Sequence, residues 1–132
     1  MQLPAGNIYS GSRMLAVLTA PTELARRKGN LRNSYPVMLD WVEYADVETA
    51  YQRNKPAAMI DRELLMTRLL LIRFELYPAI GEAVKDSGGV GWLEQCEHVV
   101  TGNVRWEGKG RESRFIRCLI AAYELWLKEI QL

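Results

Sequence analysis

The sequence is poor in the side chains that build metal centres and cross-linked domains. Its 132 residues include one histidine, His98, and two cysteines, Cys96 and Cys118. A single histidine excludes any metal site with two histidine ligands, and two thiols in a chain of this length indicate reduced cysteines rather than a disulfide framework. We therefore expect a partly buried, hydrogen-bonded His98, two small packed cysteines, no metal and no cofactor.

Long apolar runs and a strong charge of either sign are also missing. The most apolar stretch, Leu64 to Ile72, is interrupted by Arg68, so no segment is predicted to span a membrane. Seventeen basic and sixteen acidic side chains leave a formal charge of +1, which gives no sign of a nucleic-acid coat or a membrane-surface protein. The opening residues MQLPAGNIYSGS lack the basic and apolar regions of a signal peptide. We predict a cytoplasmic location.

The composition that is present indicates one globular domain over residues 1–132. Apolar side chains make up 48% of the chain and charged side chains 25%, which are the proportions of a folded soluble protein. No linker rich in Pro, Gly or Ser divides the chain, and its length leaves no room for a second core of ordinary size.

The first 44 residues carry short runs of strand-forming side chains. The predicted strands are Asn7 to Ser10, Met14 to Thr19, Tyr35 to Leu39 and Trp41 to Tyr44, with a bend at Asp40. Between the second and third of these runs, Pro21-Thr22-Glu23 opens a short helical turn that Gly29-Asn30 ends.

From Asp46 onward the apolar residues recur at helical spacing. Asp46 is suited to cap a helix over Val47 to Asn54, and Ser113 is suited to cap the last helix. The elements predicted between them are helices over Ala58 to Tyr77, Pro78 to Lys85 and Val90 to Gln95, and a short strand over His98 to Val100. This order predicts an α+β fold, in which a small sheet from the N-terminal third packs against several helices.

Motifs of high specificity are missing, and three weaker features remain. The sequence has no P-loop, no glycine fingerprint for dinucleotides, and no CxxC, HExxH or GxSxG pattern. The first weaker feature is the helix after Asp46. Glu48 falls in its first turn, where the helix dipole favours a carboxylate, and Tyr51, Gln52 and Lys55 follow on the same face. The alternative interpretation is an ordinary helix start with a surface pair.

The second feature is the segment from Asn103 to Ser113, which leads into the last helix. Its tryptophan, Trp106, can stack on a planar ring while backbone N–H groups at the helix start meet an anion. Cations exceed acids in and just after this segment, which suits a phosphate: Arg105, Lys109, Arg111, Arg114 and Arg117 against Glu107 and Glu112. The alternative is a solvated charged loop with one packed tryptophan.

The third feature is a set of charges on the long apolar helix. Asp61, Arg68 and Glu75 follow one another at intervals of seven residues, and Arg62 and Arg73 are eleven residues apart. Charges on a buried helix need partners. They are therefore predicted either to form a structural ladder of ion pairs or to line a polar cavity.

These segments together resemble the NADAR family (NAD- and ADP-ribose-associated, YbiA-like domains) in order and spacing over residues 8–127. The stretch from Asp46 to Lys55 is similar to the family's E-x-x-Y-Q-x-x-K helix start. Leu65 to Pro78 is similar to its M…KFxQxP helix, with Arg73 in place of the lysine. Asn103 to Gly110 is similar to its DxxWGxG loop before the final helix.

The resemblance implies a hydrolase that cleaves a ribosyl–nitrogen bond in a phosphorylated riboflavin-pathway intermediate or in ADP-ribosylated guanine of nucleic acid. Such a bond breaks through a sugar with oxocarbenium character, which a nearby carboxylate stabilises. The implied catalytic positions are Glu48 and Asn103, and the implied substrate-binding positions are Tyr51, Lys55, Arg68, Arg73, Arg105, Trp106 and Gly108. The expected partner is a nucleotide-like small molecule or an ADP-ribosylated nucleic acid.

Asn103 stands where the family has an acid, and this departure leaves alternatives open. Asparagine cannot act as a base. Glu48 either works with a second acid, for which the candidates are Asp46, Glu107 and Glu112, or belongs to a pocket that binds a nucleotide-like ligand without cleaving it. A third alternative is a protein-interaction domain, with Trp41, Trp92 and Trp126 as contact or core residues.

Overall fold

Helices dominate the structure, and two pairs of short strands accompany them. The computed structural model describes residues 3–9, 11, 13–100 and 105–131. Within these ranges the helices are α1 (Arg13–Ala16), α2 (Thr22–Arg27), α3 (Val47–Asn54), α4 (Met59–Leu76), α5 (Pro78–Ser87), α6 (Val90–Leu93) and α7 (Arg114–Ile130). The strands are β1 (Val37–Leu39), β2 (Val42–Tyr44), β3 (Glu97–His98) and β4 (Gly108–Lys109), and a 3-10 turn covers Gly110–Glu112. The predicted α+β fold is confirmed.

The predicted strands around Asp40 form an antiparallel hairpin. Val37 lies opposite Tyr44 in the β1–β2 pair. Asp40 and Trp41 make the two-residue turn with φ of 49° and 71°, as the tight turn that suits a twisted hairpin requires. The Trp41 side chain is 93% exposed at this tip. The second strand pair, β3–β4, comes from the C-terminal half, so the expected single sheet is two separate ladders in the described residues.

The two earliest strand predictions are wrong for the described residues. Arg13–Ala16 is helical, and Asn7 makes only an isolated bridge to Glu97. Ser10, the end of the first predicted strand, lies outside the described residues. The segment from Leu15 to Ala20 is buried throughout. A continuously buried apolar run has no polar face, and its period therefore does not distinguish a helix from a strand.

The N-terminal segment is nevertheless tied to the second half of the chain. The amide of Ile8 donates to the carbonyl of Glu97 at 2.9 Å, and the amide of Glu97 donates to the carbonyl of Gly6 at 2.9 Å. The indole Nε1 of Trp92 donates to the carbonyl of Leu3 at 2.7 Å. These bonds join residues that are nearly ninety positions apart.

The predicted helix starts at Asp46 and Ser113 are confirmed. Asp46 Oδ1 accepts from the Thr49 amide at 2.8 Å, and Ser113 Oγ accepts from the Ile116 amide at 3.1 Å. Helix α4 packs along α7, and its Phe74 stacks on Trp126 in the core. None of the helices in the described part of the chain combines the length and the apolar content that a bilayer crossing needs.

Two buried charged side chains, Asp46 and Arg73, link α3 and α4 to the residues at the start of α2. The guanidinium of Arg73, which is 2% exposed, donates to the backbone carbonyls of Leu18 and Thr19. Burial lowers the pKa of Arg73 to about 10, and the attraction of the Asp46 carboxylate opposes this shift. Asp46 Oδ2 also accepts from the Glu23 amide at 3.0 Å. One carboxylate therefore accepts hydrogen bonds from the first turns of two helices and attracts the buried Arg73 guanidinium.

Replacing Asp46 by Ala should destabilise the fold by about 2–4 kcal/mol, because two helix starts lose an acceptor and Arg73 keeps an unbalanced charge. Chemical denaturation measures this loss. The matched control is Asp40→Asn, which removes a carboxylate that is 70% exposed and should change stability by less than about 0.5 kcal/mol. Equal losses in the two variants would contradict a buried charged junction.

Candidate active site

One cleft of about 420 Å³ stands out among the described residues. It lies between one face of α3, the first half of α4, the turn before α2, strand β3 and the residues before β4. Its volume is in the range of sites that hold small molecules. The side chains that line it include one acid, an aromatic wall, three cations, a histidine and several apolar residues.

The acid is Glu48, and helix α3 presents it together with its helical neighbours. Glu48, Tyr51, Gln52 and Lys55 all line the cleft, so the prediction that they share one face is confirmed. Gln52 Nε2 donates to Glu48 Oε1 at 2.7 Å, which orients the carboxylate. The Glu48 amide donates to the Ala20 carbonyl at 3.1 Å, which ties the helix start to the turn before α2.

The aromatic wall is formed by Tyr51, Trp106 and Phe115. Tyr51 and Trp106 are buried and meet edge to face, with ring centroids 5.7 Å apart. The Trp106 carbonyl accepts from Ser113 Oγ at 2.6 Å, which ties the backbone of Trp106 to the start of α7. Burial raises the pKa of Tyr51, so its hydroxyl stays protonated at neutral pH. The three rings therefore form a rigid apolar surface against which a planar group can pack.

The cations that line the cleft are Lys55, Arg62 and Arg105, against Glu48 as the one acid among the described lining residues. Arg62 Nε donates to the Pro56 carbonyl at 2.6 Å. The Arg62 guanidinium also interacts with the Tyr51 hydroxyl and opposes the effect of burial on the pKa of that group. The excess of positive charge favours an anionic ligand.

Arg62 lines the cleft, as the cavity alternative for the charges of the long helix predicts, but it is absent from the predicted substrate-binding residues. The available signal was on its own helix: Met59, Arg62 and Met66 are three and four residues apart, and all three line the cleft. A cation between two apolar residues on one helical face is therefore the sequence signal that indicates Arg62 as a cleft residue.

Three predicted substrate-binding residues do not line the cleft. Arg68 pairs with Asp40 at 2.8 Å on the surface, and Arg73 is enclosed in the junction described above. Of the α4 charges predicted to form a ladder or to line a cavity, Arg62 lines the cleft and Arg68 and Arg73 do not, and the described residues show no ladder of ion pairs along the helix. Gly108 has φ of 148°, and a Cβ there would lie 2.9 Å from the Ser113 amide nitrogen. A glycine is therefore needed at position 108 because a side chain would strain the backbone and collide with it.

None of the three candidate second acids lines the cleft. Asp46 is occupied by the helix starts, Glu107 Oε1 accepts from the Val100 amide at 2.7 Å, and Glu112 lies on the exposed 3-10 turn. Asn103 lies outside the described residues. The described part of the chain has no cluster of three potential metal ligands among His, Cys, Asp and Glu.

The cysteines lie apart from the cleft. Cys96 and Cys118 are buried free thiols, as predicted. Burial raises the pKa of Cys118 to about 11 and also raises that of Cys96. Both side chains are therefore protonated at neutral pH and unsuited to nucleophilic attack.

His98 lines the cleft. It is more deeply buried than the partly buried residue that we predicted, and one of its ring nitrogens lacks the expected hydrogen bond within the described part of the chain. It is 6% exposed, and its ring stacks on Phe115 with centroids 4.5 Å apart. Its Nδ1 has no hydrogen-bond partner among the described residues. Burial lowers the pKa of His98, against smaller opposite effects of the Trp106 carbonyl and Glu107. The imidazole is therefore mainly neutral at pH 7.

Comparison with protein-family models, with curated proteins and with solved structures finds no match to this chain.

The stability of the fold should fall as the pH drops below about 6.5, because the lowered pKa of His98 lets the unfolded chain bind a proton that the folded chain binds less readily. The slope should reach at most about 1.4 kcal/mol per pH unit. Denaturation at pH 5.0 to 7.5 measures it. His98→Phe should flatten the curve over this interval, and an unchanged slope would contradict the assignment to His98.

Proposed function

We propose that this chain hydrolyses the ribosyl–nitrogen bond of a nucleotide-like substrate that carries phosphate. The observation that supports this proposal most directly is that Glu48 lines the same cleft as Trp106 and the cations Lys55, Arg62 and Arg105. The resemblance of the α3 and Trp106 segments to NADAR domains agrees with it. The substrate class we propose is a ribosylamine-type nucleotide or an ADP-ribosylated base, free or in nucleic acid.

Glu48 is the residue that we assign to the reaction itself. As the C1–N bond breaks, its electron pair leaves with the nitrogen and the sugar becomes cationic. A carboxylate beside C1 stabilises that charge. The same carboxylate takes a proton from the water that attacks C1, and the leaving nitrogen takes a proton from solvent. The hydrogen bond from Gln52 keeps the carboxylate facing one way during these steps.

The remaining lining residues would hold the two chemically different ends of such a substrate. Guanidinium and ammonium groups bind phosphate through charge-assisted hydrogen bonds, which assigns Lys55, Arg62 and Arg105 to the anionic end. Tyr51 and Trp106 offer apolar surface and a ring edge to the base. Burial of two free thiols agrees with a reducing, cytoplasmic setting, which we also propose.

A second candidate function is binding without cleavage. It is favoured by the presence of a single acid among the described residues of the cleft, because glycosidic cleavage commonly uses two acidic groups. In that case the protein would sequester an ADP-ribose-like ligand. Tight binding without release of product would identify this function.

Replacing Glu48 by Gln should lower the hydrolysis rate by at least about 100-fold, because the amide retains the shape of the side chain and loses the charge that stabilises the cationic sugar. ADP-ribosylated guanosine is incubated with each protein, and free ADP-ribose is quantified by chromatography. The affinity for ADP-ribose should change by less than about threefold.

The control for this substitution is Glu112→Gln, which removes an exposed carboxylate away from the cleft and should leave the rate unchanged. Equal activity of the wild type and Glu48→Gln would rule out our assignment of Glu48. No turnover and no shift of the wild-type Tm with any ribose phosphate would instead favour a protein-interaction domain, for which the exposed Trp41 is the available contact residue.

Replacing Arg62 by Gln should weaken ADP-ribose binding about tenfold, because a charge-assisted hydrogen bond to phosphate contributes roughly 1.5–3 kcal/mol. Calorimetric titration at 50 and 200 mM salt measures it, and the wild type should show the stronger salt dependence. Arg68→Gln is the matched control: it removes the same group from α4 outside the cleft and should not affect binding. An equal effect of both substitutions would indicate nonspecific electrostatic attraction.

A further inference from the structure

His98 Nδ1 is the buried polar atom of the cleft that lacks a hydrogen-bond partner among the described residues. The structure describes three buried side-chain atoms without a hydrogen bond: Thr19 Oγ1, Thr22 Oγ1 and His98 Nδ1. Of the three residues, only His98 lines the cleft. An unsatisfied buried polar atom costs folding free energy. Such a cost is commonly retained where a ligand supplies the missing bond.

The imidazole is also held in one orientation. Its face stacks on Phe115 at 4.5 Å, and Tyr9 meets its edge at 6.4 Å. Its backbone belongs to β3, where His98 pairs with Gly108 of β4. Groups that are fixed before a ligand arrives bind it without losing conformational freedom. The ring is therefore prepared to make a directional contact.

The charge state of the ring limits what it can bind. A neutral imidazole has one N–H donor and one bare nitrogen that accepts, so it can pair with a hydroxyl or with the edge of a base, which offer both acceptors and donors. The cleft already has three cations for an anion, on α4, after α3 and before β4. His98 thus differs in chemistry from the other polar residues around it.

We propose that His98 binds the uncharged part of the nucleotide-like ligand, a sugar hydroxyl or the edge of the base, through its imidazole. This inference rests on the proposed function only for the class of ligand. It makes His98 a ligand-binding residue, with no proton transfer and no covalent step.

The first test uses two substitutions that each remove one unpartnered buried atom. His98→Phe keeps an aromatic ring against Phe115, and Thr22→Val keeps a branched side chain outside the cleft. Both should raise Tm at pH 7.5, since an unsatisfied group is lost. Only His98→Phe should weaken ADP-ribose binding, by about tenfold. A lower Tm together with unchanged affinity in His98→Phe would overturn the proposal and assign His98 a structural role.

The second test observes the wild-type imidazole directly and does not depend on whether a variant folds. Because the chain has one histidine, its ring ¹⁵N resonances are assigned without ambiguity. Adding ADP-ribose should shift the resonance of Nδ1 or Nε2 by several ppm, as expected when a ring nitrogen gains a hydrogen bond. Ring resonances that stay in place while calorimetry detects binding would overturn the proposal.

The outcome for His98 is separable from the outcome for the proposed hydrolysis. Shifted imidazole resonances without release of ADP-ribose from ADP-ribosylated guanosine would support the His98 contact and contradict the hydrolysis. Turnover that depends on Glu48, with unmoved imidazole resonances and normal binding by His98→Phe, would support the hydrolysis and contradict the His98 contact. Absence of any ADP-ribose binding by the wild type would contradict the His98 contact as stated.

Discussion

The buried junction between Arg73 and Asp46 is the constraint on which the cleft depends. A guanidinium in a dry interior must satisfy its donors, and here the backbone carbonyls of Leu18 and Thr19 accept from it, while the Asp46 carboxylate favours its charged form through space. Those carbonyls, at Leu18 and Thr19, immediately precede the turn that lines the cleft. The carboxylate in turn sets the first turn of α3. Two buried charges that do not line the cleft thus help to position Glu48.

The cleft combines a rigid polar face with an apolar wall. Helix α3 supplies an acid whose orientation is fixed by its neighbour Gln52, while Trp106 is fixed by the hydrogen bond from Ser113 to its carbonyl. Low-polarity walls of this kind strengthen the interaction between a carboxylate and a developing positive charge, because water screens it less. The three cations give the same site an attraction for anions. These features are the basis of the substrate class that we propose.

Local signals predicted much of this structure, and long-range contacts account for the rest. The caps at Asp46 and Ser113 and the helical face of α3 depend on residues three to seven positions apart, so the sequence displays them. The partners of Arg73 and Arg68 are more than twenty-five positions away, and no local pattern specifies them. His98 was expected to be satisfied because a hydrogen-bonded interior is the common case. His98 departs from this common case at Nδ1, and it lines the cleft.

The hydrogen bonds that tie the first residues to β3 and α6 have a consequence for synthesis on the ribosome. Tyr9, which lines the cleft, follows a segment whose partners Trp92 and Glu97 are translated much later. Closing a loop of that size carries an entropic cost that only the completed contacts offset. The cleft therefore cannot form on the emerging polypeptide until most of the chain has left the exit tunnel. A nascent chain would lack the complete cleft before that point.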